Sequence, residues 1–211
     1  YNGSSAQGYL AVPEKYTSGV IVIQEWWGLN ENIKDITRRV ARLGYIALAP
    51  DLYNGKVAQE PDEAQKLRME LEMDEAVKVI LSAANYIRIE KEAEKVAVMG
   101  FCMGGSLALM TATTNRIDTA IPFYGRVTDA AKKSLDKIKI PILGLYGSRD
   151  HGIPVEVVHG LKKELDELGV VNAFHIYEAD HAFFNDTRDS FDKLAADDAW
   201  EKVKNWLQKY L

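Results

Sequence analysis

The sequence predicts an α/β fold with a mostly parallel, doubly wound sheet that carries helices on both faces. Short apolar runs such as 19–24 alternate along the chain with amphipathic helical segments such as 30–44. The apolar runs are unbroken, which is typical of strands that are buried on both faces of a parallel sheet. In such a sheet the ligand site is expected at the carboxyl ends of the strands.

The individual elements follow from residue type and spacing. Asn30 is suited to cap a helix whose apolar residues recur three and four positions apart, and Gly44 is suited to end it. Further helices are predicted at 61–71, from about 74 to 87, after Cys102, at 155–168 and near the end of the chain, as far as 207. Strands are predicted at 8–13, 19–24, 45–49, from 95 to the turn at Cys102, and at 119–124, 140–146 and 171–177.

Length and composition favour one compact domain over residues 1–211. The chain has 47% apolar residues and a formal charge of −5, with Lys and Arg mixed among Asp and Glu. Without a basic stripe, nucleic acid is not expected as a partner. No apolar run reaches the roughly 18 residues of a membrane span, so we expect a soluble protein. The protein is expected to be either a monomer or a homodimer.

Cysteine content bears on the cellular compartment. The lone cysteine rules out an internal disulfide, and a reactive thiol is easier to keep reduced in the cytoplasm, where we place the protein. No signal-peptide pattern precedes the first predicted strand. Because the chain begins at Tyr1, an upstream export signal stays open.

The segment 95–110 contains the most informative motif. A buried strand leads into Gly-Phe-Cys-Met-Gly-Gly, and an apolar helix follows. A nucleophile on a sharp strand-to-helix turn needs small residues two before and two after it, which Gly100 and Gly104 provide. Cys102 therefore has the position of the nucleophile in a nucleophile elbow, where the start of the helix favours a thiolate. The alternative is an inert buried thiol beside a tight turn.

An acid and a base follow the cysteine at later strand ends. Asp150 comes after strand 140–146, and His181 comes after strand 171–177. The order nucleophile, acid, base is that of α/β-hydrolases and differs from the orders in chymotrypsin-like and subtilisin-like proteases. His181 would take the thiol proton and later help deliver water, while Asp150 would fix its tautomer. Taken singly, Asp150 could be a turn aspartate and His181 a packed loop histidine.

The loop after strand 19–24 supplies a second acid and an oxyanion donor. Glu25 lies between a buried strand and two tryptophans, so its carboxyl should be hydrogen-bonded or held protonated beside the thiol. The alternative is a glutamate that caps the loop or pairs with an arginine. The backbone N–H groups of Trp26 and Met103 are expected to bind the oxyanion. The four histidines lack metal-ligand spacing, so neither a metal nor a cofactor is predicted.

Six motifs, spread over nearly the whole chain, resemble those of the dienelactone hydrolase (carboxymethylenebutenolidase) family. They lie at 24–28, 49–53, 100–105, 123–125, 147–150 and 180–183. The resemblance implies an α/β-hydrolase fold. It also implies that Cys102, Asp150 and His181 act together on an enol-lactone ester through a thioester intermediate.

The same resemblance implies roles for the surrounding residues. Glu25 would interact with the resting thiol and accept its proton when substrate binds. Trp26 and Met103 would form the oxyanion hole, and Tyr124 would line the pocket.

A carboxylate clamp is a further implication of the resemblance. Members that cleave dienelactones hold the substrate carboxylate with one arginine on the helical segment after the second strand and one shortly after the histidine. Arg68 matches the first, but residues 184–185 are Phe-Asn at the second place, and the next arginine is Arg188. Asparagine lacks the planar fork with which arginine grips a carboxylate. Arg68 and Arg188 are therefore predicted to bind substrate, with a solvated helix residue as the alternative for Arg68.

The leading functional prediction is a cysteine-dependent hydrolase of small-molecule carboxylic esters or lactones. A thioesterase or acyltransferase could use the same three residues and would differ in what the pocket admits and in what resolves the intermediate. A redox or ligand-binding module that senses peroxide through Cys102 is the third interpretation. That module would need an outside thiol, because the chain has no second cysteine.

Overall fold

Seven strands and seven α-helices make up the regular structure of the computed structural model, which describes residues 7–211. Residues 1–6, which the domain prediction includes, lie outside the described part. The strands are β1 Gly8–Ala11, β2 Ser18–Ile23, β3 Ile46–Pro50, β4 Lys95–Phe101, β5 Thr119–Phe123, β6 Ile142–Gly147 and β7 Asn172–Tyr177. The helices are α1 Glu31–Arg42, α2 Pro61–Glu70, α3 Met73–Ile89, α4 Met103–Ala112, α5 Asp129–Lys132, α6 Val155–Glu167 and α7 Lys193–Tyr210, with a 3₁₀ turn at Leu135–Lys137.

The strand order produces a reversal of the chain path at the centre of the sheet. The order is β1-β3-β2-β4-β5-β6-β7, with β1 antiparallel to β3 and every other pairing parallel. The chain moves from β2 outward to β3 and then returns past β2 to β4. Such a reversal leaves a crevice beyond the carboxyl ends of the two central strands, where ligands bind in open α/β sheets. Glu25 and Cys102 follow these two strands.

Side chains of each central strand alternate between two apolar layers. In β2, Val20 and Val22 face one layer, Ile21 and Ile23 face the other, and all four are fully buried. Helices α1 and α7 cover the first layer, and α3, α4 and α6 cover the second. The mostly parallel sheet with helices on both faces confirms the predicted fold class and explains the unbroken apolar runs.

Among residues 7–211, no helix combines the length and the apolar character that a bilayer crossing requires.

The predicted strand ends differ from those observed by the one or two residues that separate methods of assignment. At α1 both predicted end signals are present, since the Asn30 side chain accepts a hydrogen bond from the N–H of Ile33 and Gly44 has a φ of +94°.

Sequence inspection missed α5 and the 3₁₀ turn between β5 and β6. They are too short to show helical periodicity, and their one local signal is the cap residue Thr128, which accepts from Ala131.

Candidate active site

Cys102 occupies the sharp turn between β4 and α4. Its backbone has φ 54° and ψ −114°, a strained conformation for a residue other than glycine. The N–H of Cys102 donates to the carbonyl of Phe123 at 3.1 Å, and the N–H of Ser106 donates to the carbonyl of Cys102 at 3.2 Å. These bonds fix the turn so that the partly exposed thiol stands beyond the end of the sheet.

Close backbone approaches explain the glycines around the cysteine. A Cβ atom on Gly104 would lie 2.5 Å from the carbonyl oxygens at the end of β2, and one on Gly105 would lie 2.5 Å from that of Phe123. A Cβ atom on Gly100 would collide with the backbone of Gly104. Helix α4 therefore reaches its position over the central strands only because these residues have no side chain.

Asp150 and His181 meet at the ends of β6 and β7. Nδ1 of His181 lies 2.6 Å from Oδ2 of Asp150. The other carboxylate oxygen of Asp150 accepts from the N–H groups of Gly152 at 2.8 Å and Ile153 at 3.1 Å. Burial alone would raise the pKa of Asp150, but these hydrogen bonds and the charge of His181 hold it below its ordinary value. An ionised Asp150 fixes the Nδ1 proton and leaves Nε2 free for the thiol.

His181 joins the acid to the thiol. Burial alone would lower the pKa of His181, but hydrogen bonds to Asp150 and to the thiol of Cys102, together with their charges, raise it to about 10. An imidazole with such a pKa is protonated at neutral pH and stabilises a neighbouring thiolate. The structure thus brings the three predicted residues together, although their catalytic roles stay a prediction.

Glu25 is buried and hydrogen-bonded, which is one of the two states that the sequence predicted. Its side chain is 3% exposed, Oε2 accepts from Nδ2 of Asn185 at 2.7 Å, and Oε1 accepts from the Tyr124 hydroxyl at 3.4 Å. Burial is the largest influence and raises the pKa of Glu25 above its ordinary value, against the opposing effect of these bonds. The carboxyl is therefore a stronger base than one in water.

Sequence inspection did not identify Asn185 as the partner of Glu25. Asn185 is 1% exposed, and its Oδ1 accepts from the N–H of Thr187 at 3.1 Å and from the Thr187 hydroxyl at 2.7 Å. These bonds hold the side-chain amide facing the glutamate. The one signal in the sequence is a polar residue that ends the apolar run 182–184, and this signal does not name the partner.

A cavity of about 1010 Å³ opens above Cys102. Trp26, Met103 and Tyr124 line it beside the cysteine, as the oxyanion and pocket predictions require of their positions. Met103 is the first residue of α4, so its N–H has no acceptor within the helix. The oxyanion roles of Trp26 and Met103 stay a prediction.

Of the two arginines predicted to bind a substrate carboxylate, Arg68 lines the cavity and Arg188 is not among the lining residues. Arg68 lies in the last turn of α2 and lines the cavity wall. Arg188 instead stacks on Trp27, with its guanidinium carbon 3.7 Å from the ring centroid, and is not a lining residue. The cation–π contact with Trp27 fixes the guanidinium, and binding of substrate by Arg188 stays a prediction.

Two further arginines line the cavity and were missed from the sequence. Arg126 follows β5 and Arg149 follows β6, both in loops whose course no periodicity predicts.

The described residues contain no group of three or more His, Cys, Asp or Glu side chains that could hold a metal ion.

The strand-to-helix elbow, with the acid and base at successive later strand ends of a mostly parallel sheet, places this chain among the α/β-hydrolases. Comparison with known sequences makes the assignment more specific. The dienelactone hydrolase family matches residues 6–211, and the chain belongs to that family. It is accordingly a carboxylic-ester hydrolase, and the predicted family and fold are confirmed.

Individual relatives match over nearly their full length. The chain is 36% identical to the "Putative carboxymethylenebutenolidase" of Saccharolobus solfataricus, with 99% of this chain and 95% of that protein covered. It is 35% identical to "Protein usf" of Aquifex pyrophilus, with coverages of 100% and 96%. The crystal structure of a "Putative Dienelactone Hydrolase" from Klebsiella pneumoniae superposes with a TM-score of 0.88 at 29% identity, and 99% of this chain and 95% of that chain are covered.

Proposed function

We propose that the protein hydrolyses carboxylic esters and lactones, dienelactone-type enol-lactones among them, through a thioester on Cys102. The observation that carries the proposal is the hydrogen bond of 2.6 Å between Asp150 and His181 beside the thiol of Cys102, at one cavity. His181 has a pKa of about 10, so the imidazole can hold the thiol proton at neutral pH. The position of the imidazole beside the thiol and its ability to hold the thiol proton both favour nucleophilic attack by the sulfur of Cys102.

The first half of the reaction acylates the cysteine. His181 holds the proton taken from the thiol, and Sγ of Cys102 forms a bond to the carbonyl carbon while the carbonyl electron pair moves to oxygen. The backbone N–H groups of Trp26 and Met103 stabilise this oxyanion. When the tetrahedral intermediate collapses, the carbon–oxygen ester bond breaks and His181 gives its proton to the leaving oxygen.

The second half of the reaction hydrolyses the thioester and regenerates free Cys102. Water attacks the thioester carbon as Nε2 of His181 accepts one of its protons, and the carbon–sulfur bond then breaks. The acid product leaves, and the thiolate of Cys102 again faces the protonated imidazole. Asp150 stabilises the imidazolium in both halves without taking its proton.

We assign Glu25 the role of a second acceptor for the thiol proton. A buried carboxylate is a stronger base than one in water, and the pKa of Glu25 is raised for this reason. Asn185 and Tyr124 bind one carboxyl oxygen each, which limits the rotation of the group. Where the thiol is still protonated when substrate binds, Glu25 would accept that proton in place of His181, and the proton already on the imidazole would go to the leaving oxygen.

We also infer that the chain acts as one domain on a small-molecule substrate in the cytoplasm. A single sheet whose two faces are covered by helices of the same chain supports one domain. The free thiol of Cys102 supports a reducing compartment.

The proposal is tested by rapid-mixing hydrolysis of p-nitrophenyl acetate with wild type and Cys102→Ala, followed by intact-mass analysis of quenched protein. We expect a burst of p-nitrophenol and an acetyl adduct in wild type, with neither in the variant. Neutral hydroxylamine should remove the adduct, because it cleaves a thioester and leaves acetyl-lysine intact. Turnover that persists in Cys102→Ala would refute the thioester route.

A further inference from the structure

Ser106 is a buried polar residue on the wall of the cavity. It lies in α4 one helical turn beyond Cys102, and its N–H donates to the carbonyl of Cys102 at 3.2 Å. The residue is 6% exposed, and it lines the cavity that opens above the thiol. Because the elbow fixes both residues, the Ser106 hydroxyl stands at a set distance from the nucleophile.

The Ser106 hydroxyl has no hydrogen-bond partner among residues 7–211. Other buried hydroxyls in the helices donate to the carbonyl four residues before them, as Thr37 and Thr111 do at 2.7 Å. A buried hydroxyl that lacks a partner costs free energy, so such groups are usually satisfied. Ser106 differs from the two threonines because it faces the cavity, where a bound molecule can supply the partner.

Apolar side chains share the cavity wall with Ser106. Met73, Met103 and Val127 line the same cavity and belong to, or pack against, one apolar layer of the fold. By contrast, every arginine that lines the cavity is exposed. A charged group moved next to a single neutral hydroxyl would lose its hydration without an opposite charge in return. The surroundings of Ser106 therefore suit a neutral polar atom.

The acyl part of an ester is the part that Ser106 can reach. Residues four positions apart on a helix have Cβ atoms about 5–6 Å apart, so the hydroxyl lies a few bonds from a carbonyl carbon attached to Sγ of Cys102. The leaving oxygen has to face Nε2 of His181 to receive its proton, which directs the alcohol part toward the loop after β7. The acyl chain is left to extend along α4 past Ser106.

We propose that Ser106 is a specificity-determining residue that hydrogen-bonds a neutral oxygen, hydroxyl or keto, on the acyl chain of the substrate. A serine hydroxyl can donate to a keto oxygen and can accept from a hydroxyl. A substrate that lacks this oxygen leaves the buried serine unpaired, which is how a polar site rejects an apolar analogue. The inference rests on the proposed ester hydrolysis at Cys102 and adds to it a substrate class and the residue that selects it.

The test compares pairs of p-nitrophenyl esters in which a hydroxyl or keto oxygen takes the place of a methyl group. The ester of β-hydroxybutyrate is paired with that of isovalerate, levulinate with isocaproate, and γ-acetylbutyrate with isoheptanoate. The measured quantity is the ratio of kcat/KM for the oxygen-bearing ester to kcat/KM for its methyl analogue. Using a ratio cancels any effect of a variant on the chemical step, and the three pairs place the oxygen at different distances from Cys102.

We expect the ratio for the best pair to fall roughly three- to tenfold in Ser106→Ala, mainly through KM of the oxygen-bearing ester. The urea midpoint of this variant should not fall, because the hydroxyl has no protein partner and alanine favours the helix. Thr128→Val is the matched control, since it removes a hydroxyl of the same cavity that already accepts from the N–H of Ala131 at 3.1 Å. Its ratio should stay within about twofold of wild type.

Three results would overturn the inference. The ratio in Ser106→Ala could equal that of wild type for all three pairs, and an equal fall of kcat for both members of each pair would then assign the hydroxyl to the attacking water. The ratio could fall as far in Thr128→Val, which would place the substrate oxygen at α5. The urea midpoint of Ser106→Ala could fall, which would mean that the hydroxyl is bonded within the protein. Failure of the proposed function is distinguishable, because wild type would then form no acyl adduct with the methyl analogues either.

Discussion

Asn185→Asp is the substitution that most directly tests the environment of Glu25. The new side chain has the same shape, so it can still accept from the N–H and hydroxyl of Thr187. The amide that donates to Oε2 of Glu25 at 2.7 Å becomes a carboxyl oxygen. The variant thus places two carboxyl groups in contact, where both side chains are almost completely buried.

The expected loss of stability follows from proton uptake. Two buried carboxyls at this distance hold at most one negative charge, so the pair keeps a proton far above the ordinary pKa of 4.5. The unfolded chain releases that proton, so the free energy of unfolding falls by up to about 1.4 kcal/mol for each pH unit above the unfolded pKa. Between about pH 5 and pH 8 the fall could reach about 4 kcal/mol. The raised pKa of Glu25 already gives wild type part of this slope, so the additional loss in the variant should be smaller than about 4 kcal/mol.

Urea unfolding followed by tryptophan fluorescence at several pH values measures this difference. Asn32→Asp is the control, since Nδ2 of Asn32 donates at 3.2 Å to Oδ1 of the exposed Asp186. There the new charge lies in the first turn of α1 and its partner can turn into water, so we expect a change below about 1 kcal/mol across the same range. Parallel pH profiles for Asn185→Asp and wild type would refute the buried contact between Asn185 and Glu25.

Two other predictions concern the thiol and the elbow. In His181→Gln, the rate at which p-nitrophenyl acetate acylates Cys102 should fall at least about hundredfold relative to wild type, because no imidazole takes up the thiol proton. Equal rates of acylation, read by mass spectrometry, would contradict the role of His181. Gly105→Ala should lower the free energy of unfolding by about 2 kcal/mol or more, because its Cβ would press on the carbonyl of Phe123. Gly160→Ala in α6 is the control, because a Cβ atom there would have no heavy atom within 4 Å. This substitution should raise the free energy of unfolding by about 0.5–1 kcal/mol. Equal effects of the two substitutions in urea unfolding would refute the close approach of Gly105 to Phe123.

Much of the site could be predicted because its signals are local in the chain. A sharp strand-to-helix turn needs Gly100 and Gly104 around the nucleophile, and strand periodicity locates the ends where Asp150 and His181 follow. Parallel strands bring their carboxyl ends to one edge of the sheet, so residues distant in sequence are expected together. Chain order and periodicity were therefore enough to group these residues.

The sequence by itself determined the fold class, the elbow and the order of nucleophile, acid and base, since each depends on interactions between residues close along the chain. Only the tertiary structure decided which loop side chains meet. Asn185 and Glu25 are 160 positions apart, and Arg188 stacks on Trp27. Such contacts leave no periodic trace, because they depend on how two irregular loops pack against each other after the sheet has formed.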